Sequence, residues 1–142
     1  MPGPSRLATV GKMHSPIVYG HAISHELERR RVLGNWRAGR VPRRDLCDAD
    51  FLLRTASSYH GHAADEPCPV CESEQLRHVK WVYGTQLGRR GNTAREDWEI
   101  EEIVDAYGEI TVHLVEVCPE CGWNFLLREM IAYPGERREG RA

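Results

Sequence analysis

Apolar positions recur at two different periods along the chain, and they divide it into a helical opening part and a strand-rich remainder. From Pro16 to about Ala38, Val18, Ala22, Leu33 and Trp36 fall on one side of a helix, with Tyr19 and Ile23 adjacent. Ser15 suits the N-cap, Pro16 the first helical position and Gly39 the end. Arg29 and Arg30 project near the apolar face, which means either snorkelling of their stems or a surface used by a partner. After a turn at Pro42, Asp48 reads as the N-cap of a second helix, Ala49 to about Tyr59, closed by Gly61. Helix, turn and helix make a compact arm.

Past Cys71 the period changes. Leu76 to Tyr83 alternates, with Val79, Trp81 and Tyr83 on one face, and its β-branched and aromatic residues predict a strand. Gly84 to Asn92 holds three Gly and two Arg and reads as a loop. Thr93 to Tyr107 carries two patterns. Thr93-Ala94-Arg95-Glu96 has the form of a capping box, Ile100, Ile103, Val104 and Tyr107 make a helical stripe, and Gly108 suits the C-terminal cap. A hairpin turn across Asp105 to Glu109 is the alternative, and the stripe favours the helix. Ile110 to Val117 is a strand. Trp123 to Tyr133 alternates through Trp123, Phe125, Leu127, Ile131 and Tyr133, which favours a third strand over a short helix.

Cysteines decide how these elements are held. Five occur: Cys47, then Cys68-Pro69-Val70-Cys71, then Cys118-Pro119-Glu120-Cys121-Gly122. Each C-x-x-C closes a tight turn that points two sulfurs at one spot. Proline at the second position pre-sets the turn, and Gly122 is free to take the left-handed conformation that brings backbone N–H groups to the thiolates. Two such turns, each flanked by strand, bring Cys68, Cys71, Cys118 and Cys121 to one tetrahedral Zn²⁺, the arrangement of a zinc ribbon. Four thiolates leave no open position, so the expected zinc is structural and its loss unfolds the ribbon while the arm survives. Iron in a rubredoxin-like site has the same spacing and is the lesser candidate. A structural disulfide set suits a different redox compartment, and a thioredoxin-like dithiol leaves the second pair without a use. A zinc deaminase needs H-x-E, which His25-Glu26 and His60-Gly61-His62 do not supply.

The predicted fold class is therefore α+β: an N-terminal helical arm over 16–62, joined to a small, three-stranded antiparallel zinc-ribbon sheet over 63–133 with an inserted loop and helix. Residues 1–15 read as a mobile polar leader, with Met13 an alternative start, and 134–142 as a mobile tail. With 142 residues, 41% hydrophobic and 28% charged, the chain suits one domain with a modest core. No apolar run approaches the ~18 residues of a membrane span. The opening residues Met1 to Arg6 lack the apolar stretch of a secretory signal, so a cytoplasmic location is expected.

A net charge of −2 hides a split: residues 1–60 carry +5 and residues 61–142 carry −7. The basic half is almost all arginine, although genomic base composition produces the same bias. Arg29, Arg30, Arg31, Arg37, Arg40, Arg43 and Arg44 follow one another without an acid, with Trp36 among them. They read as a phosphate-tracking surface with one stacking aromatic, for nucleic acid or an acidic protein, or equally as a solvated face packed on the acidic half. The run Asp97, Glu99, Glu101, Glu102, Asp105 and Glu109 repels nucleic acid and suits a basic protein partner. Cys47 reads as a small buried residue in a turn, against a low-pKa thiol at a helix start. His60 and His62 read as solvated loop residues, and His78 and His113 as half-exposed or hydrogen-bonded strand residues. Gly84 to Gly91 lacks the ending of a P-loop, no catalytic fingerprint appears, and no enzyme is expected.

Several segments together carry a resemblance: Cys47-Asp48-Ala49, Leu52-Leu53-Arg54, Tyr59-His60-Gly61, Trp81-Val82-Tyr83-Gly84, and Val112 to Cys118 running into Trp123-Asn124. The chain resembles, over about residues 17–132, a family of small uncharacterised actinobacterial proteins known only as a domain of unknown function. The resemblance implies an actinobacterial cytosolic protein and transfers no activity. The expected function is a non-enzymatic zinc-ribbon binding module, accessory to the transcription or translation machinery. A protein–protein adaptor and a thiol-based redox or zinc sensor are the alternatives.

Overall fold

The structure, a computed structural model, describes residues 17–135. Six antiparallel strands form one sheet: β1 (Ile17–Ser24), β2 (His62–Ala63), β3 (Arg77–Tyr83), β4 (Thr93–Arg95), β5 (Ile110–Val117) and β6 (Asn124–Pro134). Their order is β1-β6-β5-β3-β2, with β4 also on β3. Helices α1 (Glu26–Arg37), α2 (Arg43–Leu46), α3 (Phe51–His60) and α4 (Asp97–Tyr107) pack around it. The expected α+β class is observed. The sheet is twice as wide as the three strands expected, because β1, β2 and β4 join it.

The largest correction lies at the start. Residues 17–24 are a strand, not the first turns of a helix, with Ile17 opposite Pro134 and Tyr19 opposite Ala132. Ile17, Val18, Tyr19 and Ile23 are β-formers, and Gly20 lies under the Tyr133 ring, where a Cβ would come to 3.1 Å. The helix expectation drew on Ser15 and Pro16, which lie outside the described residues, as do the leader and most of the tail. The register of β1 shifts between Gly20 and Ile23, with His21 at φ 50.

Elsewhere the periods hold and the ends move. Asp50, not Asp48, caps α3, its Oδ1 accepting from the Leu53 N–H at 2.8 Å. The capping box of α4 is Glu96 with Glu99, three residues after the one expected, because Thr93–Arg95 is taken up pairing with β3. Gly108, at φ 89, ends α4. The expected loop after Tyr83 contains a 3-10 turn over Thr85–Arg90.

Three apolar clusters divide the work. Ile100, Ile103 and Val104 of α4 bury against Val82, Val112, Met130 and Ala132 on one face of the sheet. Burying each of these three α4 side chains contributes about 1.5–3 kcal/mol. Ala49 and Leu53 meet Val79, Val117, Trp81 and Val115 on the other face. The third cluster gathers Leu33 of α1 and Leu46 of α2 with Val70, Leu76 and Trp123 around Cys68 and Cys118. This end of the sheet holds the candidate site.

Candidate metal centre

The two C-x-x-C turns share one backbone design. In the first, the Glu72 N–H donates to Cys68 O at 2.9 Å, while Val70 and Cys71 N–H groups donate to the Cys68 sulfur at 3.4 and 3.5 Å. In the second, the Gly122 N–H donates to Cys118 O at 2.9 Å and the Trp123 N–H to the Cys121 sulfur at 3.3 Å. The residue after each second cysteine is left-handed, Glu72 at φ 66 and Gly122 at φ 92. Only the second position demands glycine. A Cβ there would strike the Arg54 guanidinium and come to 2.9 Å from Cys47 O.

Strands β3, β5 and β6 bring the turns together. The sulfurs of Cys68, Cys71, Cys118 and Cys121 all lie within 4.8 Å of one another. Cys68 to Cys121 and Cys71 to Cys118 are both 3.7 Å apart. A tetrahedron with metal–sulfur bonds of about 2.3 Å has edges of about 3.8 Å, so the spacing fits a tetrathiolate ion. Cys68 and Cys118 are buried and Cys71 and Cys121 half-buried, with Leu33, Leu46, Val70, Leu76 and Trp123 around them.

Without a cation this packing disfavours charge. Burial pushes the Cys68 thiol up to about 11 and raises that of Cys121 further, despite backbone donors to both sulfurs. Burial also acts on Cys71, but hydrogen bonds from the Ser73 backbone and neighbouring thiols outweigh it and lower the pKa. A divalent cation bound here would outweigh the effect of burial by stabilising all four sulfurs as thiolates. The residues can therefore hold one metal ion in a closed, all-sulfur site.

Cys47 is the residue that sequence reasoning misplaced. It is half-buried, not fully buried, and its sulfur stands 3.6 Å from that of Cys121. A hydrogen bond to Cys47 is the main cause that raises the Arg43 pKa, with Cys121 contributing. No spacing rule links a lone cysteine to a C-x-x-C more than seventy residues away. The only signal was its place between two arm helices.

The arginines scatter. Arg29 is not a surface group: it clamps the buried carboxylate of Glu116. Trp36 packs against the metal-end cluster rather than standing free to stack. Arg31 pairs with Glu28 at 2.8 Å and Arg40 donates to the Asn35 side chain at 3.0 Å, both exposed. Arg30, Arg37, Arg43 and Arg44 are exposed. The acidic run is partly used: Asp97 binds Lys80 at 2.7 Å and Glu99 binds Arg95 at 3.1 Å. His62 is exposed, His60 and His78 are half-buried, and His113 lies 3.9 Å from Glu129, which also holds His25 at 2.8 Å. Among the described residues, no helix is long and apolar enough to cross a membrane.

Residues 19–141 match the model of a family of unknown function, DUF5318. The uncharacterized protein Rv0049 of Mycobacterium tuberculosis is 36% identical over 109 residues, covering 77% of this chain and 80% of its own. The uncharacterized protein Mb0050 of Mycobacterium bovis is similar to the same extent. No solved structure matches the chain.

Proposed function

The chain belongs to the family of unknown function DUF5318, and on that footing we propose that it is a non-enzymatic binding module built on one structural zinc ion. Four soft thiolates at tetrahedral spacing favour zinc, with iron the alternative metal. Zinc here supplies a crosslink between chain positions about fifty residues apart and leaves no coordination position for water or substrate.

The binding surface we assign is the arm, and its ligand a polyanion such as nucleic acid. One observation carries this: Arg30, Arg37 and Arg44 are exposed and form no ion pair with a described residue. Arg30 and Arg37, seven residues apart on α1, share a helix face, and Arg40 and Arg43 extend the surface. The test is fluorescence anisotropy with duplex DNA and structured RNA between about 50 and 200 mM salt. Binding that falls steeply with salt and vanishes in Arg30→Glu/Arg37→Glu/Arg44→Glu, with metal content unchanged, supports the reading. No binding at low salt removes it.

A second reading, a protein adaptor, is favoured by a different surface. Phe51 and Tyr59 are each 77% exposed and Leu52 71% exposed, all on α3. Such a cluster on one helix is a common mark of a protein interface. A partner retained after nuclease treatment and lost in Phe51→Glu/Tyr59→Glu supports this reading over the first.

A further inference from the structure

The chain brings a fifth sulfur to a site that four complete, and the backbone holds it there. The Ala49 N–H donates to Gly122 O at 3.0 Å, and the Arg54 guanidinium spans the two segments, donating to Ala49 O at 3.2 Å and Pro119 O at 3.5 Å. The Cys47 N–H closes α2 on Arg43 O at 3.0 Å. These bonds fix the Cys47 segment directly against the second knuckle, so the 3.6 Å approach of Cys47 to Cys121 follows from the chain path.

We propose that Cys47 and Cys121 form a peroxide-sensitive thiol pair, whose oxidation to a disulfide withdraws one of the four ligands from the metal. This rests on the tetrathiolate reading above. Cys47, Cys71 and Cys121 are half-buried, whereas Cys68 and Cys118 are buried, so an oxidant reaches Cys71 or Cys121 first, and of these two Cys121 is the one with the Cys47 thiol 3.6 Å away. Cys47 stands outside the ligand set and has no metal bond to lose. A disulfide between two ligands, by contrast, removes two donors at once and must join sulfurs that the cation holds at the corners of its tetrahedron.

The reactant is a hydroperoxide. The Cys121 sulfur attacks one peroxide oxygen, the O–O bond breaks, and a sulfenic acid forms with release of an alcohol, or water from hydrogen peroxide. The Cys47 sulfur then displaces the hydroxyl as water and the S–S bond forms. Two electrons pass from the sulfur pair to the peroxide. Of the two protons consumed, one comes from the Cys47 thiol and one from solvent, since Cys121 carries none while it is a ligand. Cys68, Cys71 and Cys118 remain, a three-donor set that holds metal less tightly, and a dithiol reductant restores the fourth.

The test uses the full metal-loaded chain. Hydrogen peroxide is added at equimolar dose, metal release is followed with a chromogenic chelator, and alkylated peptides are mapped after cleavage at Glu120, which separates Cys118 from Cys121. Release should track a Cys47–Cys121 linked peptide, and Cys47→Ser should slow it about tenfold or more. Release at the wild-type rate in Cys47→Ser, or disulfides confined to Cys68, Cys71, Cys118 and Cys121, overturns the proposal. If Cys47→Ser does not fold, the wild-type peptide map decides alone. Metal content measured before peroxide separates the two readings: metal-free protein removes the tetrathiolate, whereas loaded protein whose Cys47 never crosslinks removes only this pair.

Discussion

The Arg29 guanidinium grips the Glu116 carboxylate through two parallel hydrogen bonds, Nε to Oε1 at 2.8 Å and Nη2 to Oε2 at 3.0 Å. Glu116 is 4% exposed and also accepts from Trp123 Nε1 at 3.0 Å. The pair therefore ties α1 to β5 and to the residue that follows the second knuckle. A carboxylate buried this far is costly without its partner. Arg29→Ala is expected to cost about 3 kcal/mol in urea unfolding, and Arg29→Lys to recover only part, because an ammonium lacks the fork. Glu116→Ala should cost a similar amount, and the double variant less than the two singles summed. Strictly additive losses would show that the pair does not couple.

Gly122 and Glu72 occupy equivalent places after the two cysteine pairs, and they should respond oppositely to substitution. Gly122→Ala meets a positive φ together with the Cys47 carbonyl and Arg54, and should cost about 2 kcal/mol or more. Glu72→Gly at φ 66 should be close to neutral. Thermal unfolding of both variants checks this; a harmless Gly122→Ala would mean that the Cys47 segment does not press on the knuckle.

Metal loading should expel protons. Burial lifts Cys68 to about 11 and Cys121 above it, so both thiols are protonated at neutral pH in the metal-free chain, and at least two protons must leave when they become ligands. Affinity for metal accordingly rises with pH and falls on acidification. Calorimetric titration in buffers of different ionisation heat counts the protons, and loading without proton release contradicts the site.

Chelation should loosen the arm as well as the knuckles. Leu33, Leu46 and Trp36 pack in the same cluster as Cys68 and Cys118, so the arm shares its packing with the cysteine end. Hydrogen exchange after metal removal should rise in α1, α2 and both knuckles, while Val82, Val112 and Ile103, in the cluster under α4, stay protected. An arm whose protection is unchanged would restore the simpler picture.

What was legible in the chain was local. Strand β5 came out residue for residue, β3 and β6 to within a residue, and the gathering of Cys68, Cys71, Cys118 and Cys121 from spacing alone, because alternation and C-x-x-C turns are written in neighbouring positions. The misses needed distant partners. β1 is a strand because β6, more than a hundred residues on, offers it an edge. Arg29 looked like part of a basic surface until Glu116 was placed beneath it. Cys47 looked inert because its neighbour Cys121 lies seventy-four residues away. Cap positions slipped for a nearer reason: Asp48 and Asp50 are equally good caps, and Asp48 instead accepts from the Asn124 side chain at 2.8 Å.

Metal analysis of the full-length protein purified without chelator tests the account most directly. One zinc per chain is expected, lost in Cys118→Ser and kept in Arg30→Glu/Arg37→Glu/Arg44→Glu. A folded wild-type protein free of metal, or a Cys118→Ser variant that holds its ion as tightly as wild type, would contradict it.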